Sequence, residues 1–73
     1  MGKLRVLSGR DACNILGKYG FREVRRRGSH VVMQRRTDAG TVTVPVPDHP
    51  ELAIGTLLSI IRQSGIARTE FES

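Results

Sequence analysis

The sequence predicts an α+β domain in which two helices pack on one face of a three-stranded antiparallel sheet. Three observations carry this: helical apolar spacing near both ends of the chain, three short β-rich stretches in tandem between them, and glycines where one period gives way to the next. The 73 residues are read as a single domain, 1–73. A fold of this size buries about 60% of the surface its unfolded chain exposes. Its core is worth roughly 3 to 5 kcal/mol net.

The first helix opens at Ser8, where Ser8 and Asp11 have capping-box spacing with aspartate in the glutamate position. Ala12, Ile15, Leu16 and Tyr19 then fall at i, i+3, i+4 and i+7, one apolar stripe. Gly20 is expected as the left-handed cap that ends the helix. The stretch "FREVRRR" predicts a strand opening at Phe21, and Gly28 breaks its arginine run.

"SHVVMQRR" reads as a second strand, "TDAG" as a tight turn with Gly40 at positive φ, and "TVTVPV" as a third strand. In the third strand Val42, Val44 and Val46 alternate with Thr41, Thr43 and Pro45, giving one apolar face and one that can meet solvent. Pro45 lacks an amide donor, which suits an edge strand or a strand end. The loop "PVPDHPEL" is stiffened by Pro45, Pro47 and Pro50. In "GTLLSIIRQSG" Thr56 is expected as N-cap, Leu57, Ile60 and Ile61 as the buried stripe, and Gly65 as C-cap with Ile66 folding back. "TEFE" repeats the capping-box spacing at Thr69 and Glu72, a final turn that pins Phe71 to the body. This order of elements resembles the double-stranded RNA-binding domain, a likeness of architecture that does not by itself define function.

Composition excludes several classes of function. No apolar run approaches the roughly 18 residues that cross a bilayer, and "MGKLRVLSGRD" has no hydrophobic segment of signal-peptide length, so a cytoplasmic protein is expected. The single cysteine, Cys13, excludes an internal disulfide and a multi-cysteine zinc site. It lies near the apolar stripe of the first helix, as a packing residue would. The seven carboxylates are scattered through caps, turns and tails, which argues against a two-metal nuclease; no metal or other cofactor is expected. No glycine-rich phosphate loop precedes a helix with a lysine, so nucleotide hydrolysis has no support.

The net charge of +5 is local. From Arg22 to Arg36 there are six arginines and one glutamate, while acids and bases cancel elsewhere. Exclusive use of arginine suits forked recognition of phosphate; a solvated, aggregation-resistant sheet edge is the plainer reading. Within this cluster sits His30, in "RRRGSHVVMQRR". Alternation puts His30, Val32 and Gln34 on one face and Ser29, Val31 and Met33 on the other, so both faces hold an apolar residue and periodicity leaves the ring's direction open. A histidine satisfied at the sheet edge is the structural alternative to a functional one. If the ring is open, arginines gather phosphates around a group that can exchange a proton near working pH. RNA needs little more, because its own 2′-hydroxyl can attack the adjacent phosphorus.

Backbone-phosphate binding is assigned to Arg25, Arg26, Arg27, Arg35 and Arg36 as a group, although alternation sets Arg26 against Arg25 and Arg27, and Arg35 against Arg36. Gly28 allows close backbone approach, and Ser29 either orients the ring or starts the strand. Tyr19, Phe21 and Phe71 are read as packing residues, which leaves base stacking poorly supported.

"GSH" after "GF" and a basic stretch, then "VTVPV", "GTLLSIIRQSGI" and a terminal "TEF", resemble the HicA toxins, also called YcfA-like mRNA interferases, from about Ser8 to Phe71. The resemblance implies a double-stranded RNA-binding-like fold, ribosome-independent cleavage of messenger RNA and neutralisation by a HicB-type antitoxin. It also implies that His30, in the Gly-Ser-His motif, is the catalytic residue. Many relatives carry a second histidine where this chain has Val31, and many read Pro-Val-His where it runs "PVPDHPE". His49, between Asp48 and Pro50, is expected to rigidify the loop or to hydrogen-bond at a helix entry, with substrate contact the lesser alternative. Two other functions compete with the endoribonuclease: a non-catalytic RNA-binding module using the same arginines, and an interaction protein whose basic face meets only an acidic partner.

Overall fold

The computed structural model describes residues 2–73. Helix α1 (Gly9–Lys18) is followed by strands β1 (Arg22–Arg27), β2 (His30–Thr37) and β3 (Gly40–Pro47), helix α2 (Ile54–Ser64) and a 3-10 turn (Arg68–Phe71). The strands form one antiparallel sheet in the order β1-β2-β3, and both helices contact it, the arrangement of a double-stranded RNA-binding-like α+β fold.

Ser8 and Asp11 close the expected capping box, each side chain accepting the other's backbone N–H at 3.0 Å. Ala12, Ile15 and Leu16 are buried, but Tyr19 is not part of their stripe. It is the C-cap and 38% exposed, because the helix ends there and Gly20 turns the chain at φ 91°. Phe21 precedes β1 and is buried in the core.

The two hairpins are tight. Gly28 and Ser29 join β1 to β2, with Gly28 at φ 58°, and β2 opens at His30 rather than at Ser29. Asp38 and Ala39 join β2 to β3, while Gly40, at φ 134°, pairs with Thr37 as the first residue of β3. Opposite residues of an antiparallel pair share a face, so Val44 beside Met33 and Val46 beside Val31 turn one face of the sheet into the core. Leu16, Leu57, Ile60 and Phe71 fill the other half of that core.

Helix α2 begins earlier than its threonine suggests. Its N-cap is Ala53, with no side-chain bond, and Thr56 already lies within the first turn. Leu57 and Ile60 are buried and Ile61 packs partly exposed against the core. Gly65, at φ 72°, ends the helix as expected, and Ile66 folds back into the core with its N–H on Ser64 Oγ. The final turn is likewise capped by an alanine, Ala67, rather than by Thr69, yet it does seal Phe71, which is fully buried. The two ends of the chain meet: Leu4 bridges to Glu72, Arg5 donates its N–H to the Phe71 carbonyl at 2.9 Å, and Ser73 donates to that of Lys3 at 3.0 Å.

Candidate nucleic-acid interface and catalytic site

The register of β2 answers the question periodicity left open. Val31 and Met33 belong to the core cluster, so His30, Val32 and Gln34 point to the uncovered face of the sheet. His30 is exposed there, at the end of β2 where the Gly28-Ser29 turn delivers it. Arg27 is its cross-strand partner on one side and Pro47 on the other. Arg25 stands opposite Val32, whose neighbour across the other ladder is Pro45. Val32 is buried although it lies outside the core, flanked by these two residues.

The expected arginines divide between the faces. Arg25, Arg27 and Arg36 share the open one with His30. Arg26, opposite Val31, points to the helix-covered side, where its Nη1 lies 2.8 Å from Asp48 Oδ2. The hydrogen bond from Arg26 holds the Asp48 carboxyl below the ordinary carboxylate range. Arg35 also turns to the covered side: it lies 5.0 Å over the Phe21 ring and donates from Nη1 to the Tyr19 carbonyl at 3.1 Å. Its Nε is buried and unpartnered.

Gly28 serves the hairpin, since positive φ at the first of two loop residues is what this turn needs. Ser29 contributes its carbonyl, which accepts the Asp48 N–H at 2.6 Å. That bond and the Arg26–Asp48 pair together fix the loop after β3 to the turn before His30. His49 acts through its backbone, its carbonyl accepting the Gly9 N–H at 2.9 Å and so anchoring the start of α1. Gly9 has to be glycine here, because a Cβ would collide with the Pro47 carbonyl oxygen.

One arginine on the open face follows from no periodicity. Strict alternation would place Arg22 with Arg26, but a bulge at Val24 shifts the register between Glu23 and Arg25, and Arg22 pairs with Gln34 instead. Arg22 thereby joins the open face, and Val24 is left 43% exposed beside it. Cys13 is half-buried, and burial, aided by Glu23 and Asp48, pushes its thiol up, away from the reactive thiolate. Among the described residues, no group of three or more His, Cys, Asp or Glu side chains is placed to hold a metal ion. No helix among them is long and apolar enough to cross a membrane.

Fold and face together define a class: a small α+β domain of the double-stranded RNA-binding type whose uncovered sheet surface is cationic and carries one imidazole. Within that class the chain belongs to the HicA toxin family; the family model described as HicA toxin of bacterial toxin-antitoxin matches residues 9–66. No curated protein matches it significantly. Membership makes the chain the toxin of a toxin-antitoxin system, in a family of mRNA-cleaving toxins, and implies an antitoxin partner.

Proposed function

We propose that the chain is a metal-independent endoribonuclease that cleaves messenger RNA in the cytoplasm, with His30 as its catalytic residue. The observation that carries this reading is the exposed imidazole beside Arg27 and near Arg25 on an uncovered face. In the reaction the 2′-oxygen bonds to phosphorus as the bond to the 5′-oxygen breaks, leaving a 2′,3′-cyclic phosphate and a 5′-hydroxyl. The 2′-proton leaves and the 5′-oxygen gains one; His30 serves one transfer and water the other. Such a group is worth about 10² to 10⁴-fold, and guanidiniums on the non-bridging oxygens add an electrostatic contribution.

Arg25, Arg27 and Arg36 hold phosphates directly on this reading, with the Gly28-Ser29 turn passing beside the backbone of the RNA. Arg26 and Arg35 support the same surface from behind, through Asp48 and through Phe21 and Tyr19. A HicB-type antitoxin neutralises the toxin by covering His30 and the basic strands with acidic residues, a pairing that is fast and electrostatically steered.

The test is incubation of the purified chain with a defined single-stranded RNA in EDTA. Fragments with cyclic phosphate ends are expected from the parent and none from His30→Gln. Equal cutting by the variant would remove His30 from the mechanism. Salt-sensitive binding with intact RNA recovered would instead identify a non-catalytic RNA-binding module.

A further inference from the structure

One groove of the molecule lies apart from His30. It lies farther along the sheet, a hollow of about 530 Å³ bordered by the open-face residues Arg22, Gln34, Arg36 and Thr41 with the bulged Val24, and lined also by Gly20 and Arg35. His30 and Gln34 both belong to β2, so the groove starts about 13 Å from the imidazole at 3.3 Å per residue. That is at most about four nucleotides of a stacked strand at 3.4 Å each.

We propose that this groove is a nucleotide subsite that seats one base of the RNA at a fixed offset from the scissile phosphate and so selects where the strand is cut. The proposal rests on the RNA reading of the face and goes beyond it, since phosphate contacts position a strand whereas base contacts specify it. Three features fit a nucleotide. Arg22 and Arg36 border the hollow with two cations for phosphate. Val24, pushed out by the bulge, offers an exposed apolar surface to the face of a base. Gln34 donates one amide hydrogen to Thr43 Oγ1 at 3.2 Å, which fixes the amide while its carbonyl and second hydrogen remain for a base edge.

Binding to the 73-residue chain is measured with octanucleotides of 2′-O-methyl RNA, which lack the attacking hydroxyl and therefore report the groove independently of cleavage. Arg22→Gln with Arg36→Gln is expected to weaken binding about tenfold. A control that loses one cation from the helical side, Arg62→Gln, is expected to change it little. Across octanucleotides differing at single positions, the parent should prefer particular bases at one position by about tenfold. Gln34→Ala and Thr43→Val should both flatten that preference. Equal weakening by Arg62→Gln, unchanged binding in the double variant, or a preference that survives Gln34→Ala overturns the subsite. Absence of all binding overturns it together with the RNA reading, whereas tight, groove-dependent binding by a chain that cuts nothing preserves the subsite and sinks only the nuclease.

Discussion

Arg26 reaches from β1 across the covered side of the sheet to Asp48, and Asp48 in turn takes the Ser29 carbonyl through its own N–H. One residue thus ties together the edge strand, the loop after β3 and the turn that presents His30. Because Arg26 depresses the Asp48 carboxyl in the folded state, this link stabilises the protein above the unfolded carboxylate value and is lost as pH falls through the lower folded value. Denaturation followed against pH should therefore show Asp48→Asn less stable than the parent at neutral pH, with the gap narrowing as pH falls below 3.8. A gap of constant size across the acid range would show that the charge plays no part.

Two glycines of α1 should respond to alanine with opposite sign. Gly9 faces the Pro47 carbonyl with no space for a Cβ, so Gly9→Ala should cost about 1 to 3 kcal/mol through displaced backbone. Gly17, in the same helix, has open space around it, and Gly17→Ala should gain about 0.5 to 1 kcal/mol. Urea unfolding of the two variants checks both, and a stable Gly9→Ala protein would mean that the loop after β3 can move aside.

His30 and the arginines around it should be separable from folding. The ring is exposed, so His30→Gln should change stability by less than about 0.5 kcal/mol while removing cleavage. Arg25→Gln and Arg27→Gln should each lower the slope of log affinity for single-stranded RNA against log salt by about 0.7, as expected for one phosphate contact apiece. Slopes identical to the parent's would assign these arginines to solvent alone.

Phe71 ought to be the converse case, structural and remote from the open face. It is fully buried under the final turn, and Phe71→Ala should cost about 3 to 5 kcal/mol. That matches the roughly 3 to 5 kcal/mol a domain of this size has in total, so circular dichroism should find the variant mostly unfolded at 25 °C. Phe71→Leu should remain folded, and a folded alanine variant would show that the last turn is dispensable.

Side chains that bond to their own backbone were the most legible part of the fold. Ser8 with Asp11 announced α1, and Gly20, Gly28, Gly40 and Gly65 marked its end, the hairpins and the end of α2, since each adopts a φ that other residues avoid. Both alanine caps escaped notice because Ala53 and Ala67 carry no side-chain acceptor; the threonines nearby, Thr56 and Thr69, imitated the missing signal. For the site, alternation correctly set Arg26 against Arg25 and Arg27, but it could not orient His30 with a valine on either face. Pairing with β3 settled that, through Val46 and Val44. Arg22 was illegible for a different reason, since one bulged residue reverses every assignment beyond it and bulges leave no pattern in so short a strand.

The clasp between Lys3 and Ser73 has a practical corollary. A short peptide could splice the old termini, and the chain could be reopened at Asp38 and Ala39, an exposed turn away from both His30 and the core. Such a circular permutant would keep its sheet register while moving the site of any fused tag to the opposite hairpin, with Lys3 and Ser73 enclosed in an uninterrupted loop.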